Sequence, residues 1–141
     1  MIIDHIGILV NSIEDGIKHW EKIFNYQQMT EVVVNSRQNV KVVFMYKENS
    51  LLVKLFEPIS KKASNISSLQ KEGLHHICFK CSNLNTEIGH LKKLGLRTLE
   101  QPQPGEAFEN ENIAFLYGKH GLNIELIETD KKAKVIYQFH P

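Results

Sequence analysis

The sequence has almost no net charge: 17 basic and 16 acidic side chains leave +1 over 141 residues, and the two signs are interspersed. That excludes the basic stripe needed to hold nucleic acid or an anionic membrane surface, and a small molecule is the expected partner. No apolar run approaches the roughly 20 residues of a membrane span. The opening MIIDHIGILV has neither a basic region nor a small-residue cleavage site, so a cytoplasmic protein is expected. Cysteine is scarce, with Cys78 and Cys81 the only two. On a strand, residues three apart point to opposite faces, so these read as free thiols rather than a metal or redox C-x-x-C pair. No staples are needed, because one compact domain of this length buries roughly 70% of its unfolded surface.

What is present is an internal repeat. At a fixed offset of 71 residues, without gaps, identities fall at Ile6/Ile77, Ile17/Ile88, His19/His90, Lys22/Lys93, Phe44/Phe115, Tyr46/Tyr117, Leu51/Leu122, Leu55/Leu126, Glu57/Glu128 and Lys61/Lys132. Pairs such as Ile13/Leu84, Val42/Ile113, Met45/Leu116 and Val53/Ile124 exchange one apolar residue for another. His5 aligns with His76, and Lys54 with Glu125. A single domain made of two copies of one unit is therefore expected: a first module over about 1–58, a linker over about 59–73, a second module over about 74–129, and a tail, 130–141, without usable pattern.

Each half reads β-α-β-β-β. DHIGILV (4–10) alternates, with Ile6, Ile8 and Val10 on one face and His5, Gly7 and Leu9 on the other. Ser12 with Asp15 resembles a capping box, and Ile13, Ile17, Trp20 and Phe24 make the stripe of a helix over about 13–25. Three β-rich runs follow, at 29–34, 40–46 and 51–57. In the second half the strand is 75–81, and Leu84, Ile88, Leu91 and Leu94 form the helix stripe, closed by Gly95. Pro102, Pro104 and Gly105 predict a loop in place of the next strand. Strands at 112–117 and 122–128 complete the unit, with Lys119-His120-Gly121 as the turn.

Parity puts His5 and His76 on the side away from the helices; Lys54 shares a face with Phe56, and Glu125 with Ile127. If each sheet curls with its helix outside, all four polar residues point into the concave interior. Two imidazoles and a carboxylate meeting there have the composition of a divalent-metal site. His19 and His90 belong to the helices' solvent side, and His75 to an exposed strand start. Tyr46 and Tyr117 are candidates to line the cavity, and Arg37 to grip an anionic group.

The opening DHIGILV, the second-half GLHHICFK, the AFLYGKHGLNIELIE ending and the KLFEP segment resemble the vicinal-oxygen-chelate (glyoxalase/bleomycin resistance/dioxygenase) superfamily, within it methylmalonyl-CoA epimerase and the glyoxalase I-like proteins. The resemblance covers nearly the whole chain. It implies an α+β fold of two tandem βαβββ modules, forming a curled mixed sheet around a central cleft with the helices outside. It also implies a divalent metal ion (Zn, Co, Ni, Mn or Fe) held by His5, His76 and Glu125, a thioester or hemithioacetal substrate, and a homodimer. The implied activity is that of an isomerase or lyase that moves a proton α to a carbonyl; among the pocket's own residues, Glu125 and Lys54 are the candidate catalytic groups.

The sequence departs from that pattern in two places. Lys54 stands where the family has Glu or Gln, and a protonated ammonium has no lone pair to offer a metal. The strand-two hairpin, where the epimerases place an acidic proton-transfer residue, reads Asn35-Ser36-Arg37-Gln38-Asn39. Two further readings therefore stay open. One is a metal-free binding protein in which Lys54 fills the metal position and pairs with Glu125. The other is an Fe(II) oxygenase built on a two-histidine, one-carboxylate triad.

Overall fold

The computed structural model describes residues 1–60 and 71–137. Strand β1 (Ile2–Leu9) leads into helix α1 (Ile13–Phe24), and the alternation in β1 decides which side each residue serves. Ile6, Ile8 and Val10 pack with Ile13, Ile17 and Trp20 beneath α1. Leu9, of opposite parity, joins Phe44, Phe56 and Phe108 on the other face. Ser12 Oγ accepts from Asp15 N at 3.2 Å and caps α1, which ends at Asn25 in the left-handed region.

Strands β2 (Gln27–Gln28), β3 (Val33–Asn35), β4 (Val40–Tyr46) and β5 (Leu52–Pro58) complete the first half. The second half runs β6 (Gly73–Lys80), α2 (Leu84–Lys93), β7 (Arg97–Gly105), a 3₁₀ turn (Glu106–Phe108), β8 (Glu111–Tyr117) and β9 (Asn123–Ile127). Asn83 caps α2 through Thr86 N, at the position 71 residues after Ser12. Gly95 follows with φ of +102°, which its lack of a Cβ makes easy.

The sheet is mixed and open, in the order β2-β4-β5-β1-β6-β9-β8-β7, with β3 paired to β4, and with its two helices it makes an α+β fold. Parallel pairs β1·β5 and β6·β9 flank the antiparallel pair β1·β6. In that central pair Ile6 lies opposite its own repeat mate Ile77. The strand order therefore reads alike from the middle outward in both directions.

Another repeat identity has a structural role. Glu57 Oε1 accepts from Ile13 N at 2.9 Å and Glu128 Oε2 from Leu84 N at 2.7 Å, so the last strand of each half reaches back to satisfy the first free amide of its helix.

Two expectations are corrected. The run 29–34 is not one strand: its backbone is shared between β4, through Met29 N to Phe44 O, and the C-terminal tail, through Glu31 N to Lys134 O and Ile136 N to Met29 O. The proline segment is strand β7 and not a loop. It lies at the sheet edge, where an absent amide donor breaks no ladder, and register shifts absorb the misfit. The tail, which showed no pattern, packs through the Thr30–Val135 bridge. Most of the expected linker, 61–70, and the tail end, 138–141, lie outside the described residues.

Glu57→Ala and Glu128→Ala should each lower unfolding free energy by about 1 kcal/mol, the usual cost of a lost helix cap. The two losses should add in the double variant, because the helices sit on separate halves. Urea denaturation measures both, and a change near zero in either would mean water replaces the carboxylate.

Candidate functional site

The rows across the sheet explain how the site assembles. Lys54 of β5 lies beside Gly7 of β1, which lies beside His76 of β6; one row away, His5 of β1 lies beside Cys78, which lies beside Glu125 of β9. Gly7 is required here, because a Cβ on it would come within 2.1–2.6 Å of the His76 ring atoms. The structure brings together all four residues singled out from the sequence. His5 and Glu125 are 0% exposed, and Lys54 and His76 2%.

Glu125 is the hub. Its Oε1 lies 2.9 Å from His5 Nε2, 3.1 Å from Lys54 Nζ and 3.2 Å from His76 Nε2, and its Oε2 lies 3.2 Å from Lys54 Nζ. The ammonium thus bridges both oxygens of its own repeat mate. His76 Nε2, though close to Oε1, makes no hydrogen bond. The repeat identity Phe44/Phe115 also has a place: Phe44 meets His5 edge-on at 5.3 Å, and Phe115 meets His76 edge-on at 6.0 Å. Phe108 stacks on His5.

Three participants were not foreseen. His5 Nδ1 donates to Asp4 Oδ2 at 2.7 Å, which in turn lies 3.3 Å from Lys132 Nζ. Parity sends a neighbour of His5 to the opposite face, but a register shift between Ile3 and His5 turns the Asp4 carboxylate inward. For Lys132 the sequence offers only its identity with Lys61. His75 is corrected from exposed to half-buried: its Nδ1 is 2.8 Å from His76 Nδ1 and its ring stands edge-on to Phe56.

The remaining candidates lie apart. His19 and His90 are exposed, as expected, and Tyr117 is exposed too. Arg37 is exposed and donates to Gln103 Oε1. Cys78 and Cys81 are both free thiols. Burial, with Glu125 nearby, pushes the Cys78 thiol well up.

Electrostatics follow from burial and from Lys54. Burial pushes the Glu125 carboxyl up, but the Lys54 ammonium and the two imidazoles outweigh it and hold it well below the usual carboxylate range. Burial, then the Lys54 charge, brings His76 down to about 3 and His75 to about 4, so both imidazoles are neutral at pH 7. Burial opposes ionisation of Asp4, yet its partners His5 and Lys132 leave it lowered.

The donor set suits a divalent ion. His5, His76 and Glu125 offer ligand atoms within 4.8 Å of one another, and the buried His76 Nε2 is otherwise without a partner. Asp4 behind His5 is the outer carboxylate that commonly orients a ligating imidazole. The fourth corner belongs to Lys54, whose ammonium contacts both Glu125 oxygens.

An open, nine-stranded mixed sheet that buries two histidines, a glutamate and a lysine on its inner face defines a glyoxalase-like protein. The chain belongs to the glyoxalase/bleomycin resistance protein/dioxygenase superfamily, whose model matches residues 4–117. It is 29% identical over 130 residues to the uncharacterised protein YqjC of Bacillus subtilis, covering 89% of this chain and 91% of that one. It is 29% identical over 129 residues to the mitochondrial methylmalonyl-CoA epimerase of Homo sapiens, covering 88% and 72%. A methylmalonyl-CoA epimerase variant from Streptomyces coelicolor, solved with 2-nitronate-propionyl-CoA, shares the fold with a TM-score of 0.79 at 23% identity, covering 92% and 98%.

His76 titrates near 6.5 when unfolded and at about 3 in the fold. Its contribution to stability is therefore whole above pH 6.5 and is lost as pH falls towards 3. With chelator present, stability should drop on the order of 2 kcal/mol from pH 6.5 to 4.5 on its account. His76→Gln should flatten that slope in denaturant titrations, and an equal slope in the variant would place the proton uptake elsewhere.

Proposed function

We propose that this protein is a proton-transfer isomerase or lyase of the methylmalonyl-CoA epimerase/glyoxalase I type, acting α to the carbonyl of a small thioester or hemithioacetal. The observation that carries this reading is an ionised, fully buried carboxylate whose Oε1 faces two imidazoles and whose two oxygens are bridged by one ammonium. Membership of the superfamily and the likeness to the human epimerase support the choice of substrate class.

In the resting arrangement Glu125 is a weak base, because three nitrogen groups stabilise its charge. A substrate carbonyl oxygen that draws the Lys54 ammonium to itself changes this. Oε2, which only Lys54 touches among the four, loses its counterion and gains proton affinity, while Oε1 stays with His5 and His76. Glu125 Oε2 takes the α-proton, and Lys54 faces the charge that develops on the carbonyl oxygen. Returning the proton to either face of the carbon epimerises it. The chemistry a divalent ion on His5, His76 and Glu125 supplies when bound is Lewis-acid stabilisation of that same charge.

Deuterium incorporation at the α-carbon of methylmalonyl-CoA in deuterated water tests the reading. The protein should catalyse it, and Glu125→Gln should slow it by about a hundredfold or more. No exchange with acyl-CoA or hemithioacetal substrates, with or without divalent metal, would remove this class of activity.

The bridge from Lys54 to both Glu125 oxygens favours a second reading, a metal-free binding protein in which the ammonium is the resident cation. Metal quantification on wild type and Lys54→Glu separates the two. Lys54→Glu should bind a divalent ion at least about tenfold more tightly, since it removes a like charge and adds a ligand. Stoichiometric metal in the wild type would argue against the metal-free protein; unchanged affinity in the variant would show that Lys54 does not compete.

A further inference from the structure

The tail after β9 packs against residues 29–31 and the 3₁₀ turn, and buries one charged side chain there. Lys132 is 6% exposed, and its ammonium lies 5.3 Å from the ring centres of both Phe44 and Phe108. Those rings are also the ones that contact His5. Ala133 N donates to Ala107 O, Glu31 N to Lys134 O and Ile136 N to Met29 O, so the backbone on the C-terminal side of Lys132 is tied down. An ammonium held there faces one carboxylate oxygen, Asp4 Oδ2, the atom that accepts from His5 Nδ1. The tail also lies beyond the stretch that the superfamily model matches, 4–117.

We propose that Lys132 is a positioning residue of the inner-face site: by holding Asp4 against His5 Nδ1, it fixes the His5 ring so that Nε2 faces Glu125. Lys132, Asp4, His5, Glu125 and Lys54 then lie along one line, each in contact with the next. Without the ammonium, Asp4 is a partly buried carboxylate with one partner fewer, and it swings towards solvent. The His5 ring loses the acceptor that set its angle. The inference rests on His5 being a site residue, as in the proposed function, and not on the identity of the substrate.

The test uses the full chain, labelled with ¹⁵N and kept in chelator, and reads the His5 ring N–H signals by proton NMR, assigned by their loss in His5→Gln. In wild type the Nδ1 proton should be protected from solvent exchange. Lys132→Met keeps the packed stem and removes the charge; it should speed that exchange roughly tenfold, as expected when a hydrogen bond loses its charged support. Lys132→Arg should restore protection. Asp4→Asn should speed exchange similarly, and the double variant Asp4→Asn with Lys132→Met should be no worse than Asp4→Asn alone. Unchanged His5 signals in Lys132→Met, with only a lower melting temperature, would overturn the proposal and leave the tail as packing. If Lys132→Met does not fold, unchanged exchange in Asp4→Asn is the result that overturns it. A wild type that shows the full His5 response yet exchanges no substrate proton supports the role of Lys132 and sinks only the activity.

Discussion

One buried carboxylate, surrounded by three nitrogen groups inside a box of phenylalanine rings, is the constraint on which the inner face depends. An isolated carboxylate at the depth of Glu125 would take up a proton rather than stay charged. It stays ionised because Lys54 bridges its two oxygens and His5 Nε2 lies 2.9 Å from one of them. Each partner is in turn held by something else: Lys54 by the β5 backbone beside Gly7, His5 by Asp4, and Asp4 by Lys132. Taking out any one member leaves a charge in the apolar interior, which is far more costly than never having placed the pair there.

The site exists because the central strands run antiparallel with Ile6 facing Ile77. That register brings the two histidines to neighbouring rows, and the parallel strands on either side bring positions 54 and 125 over them. Equivalent positions then carry unlike residues. Two carboxylates at 54 and 125 would repel and need a cation from outside. A lysine and a glutamate neutralise each other across the same gap. Gly7 and Cys78 differ for a related reason, since only a missing Cβ at 7 leaves room for the His76 ring.

Much of this was legible in the chain. Alternation in DHIGILV assigned Ile6, Ile8 and Val10 to the helix and His5 to the interior, because side-chain direction on a strand has a period of two. The helices at 13–24 and 84–93 announced themselves by apolar stripes, by Ser12 at the start of the first and by Gly95 at the end of the second. Other features were hidden. Pro102 and Pro104 looked like strand breakers, since nothing local says that a segment lies at a sheet edge. His75 reads as exposed until Phe56 and His76 are seen against it. Asp4 has the parity of the other face, and only a bulge turns it inward.

The sequence by itself determined both helices, most of the strands and the face that residues such as His5, Ile6 and Ile8 occupy, because backbone geometry and local apolar pattern act over a few residues. It also marked His5, His76, Lys54 and Glu125 as related positions, since a repeat without gaps keeps its register. Only the tertiary structure decided that the lysine ammonium bridges both carboxylate oxygens, that His76 Nε2 is left without a hydrogen bond, and that the tail closes over Asp4. Those are matters of distance between groups as far as 128 residues apart, as Asp4 and Lys132 are. Packing and burial settle such distances, and no local pattern encodes them.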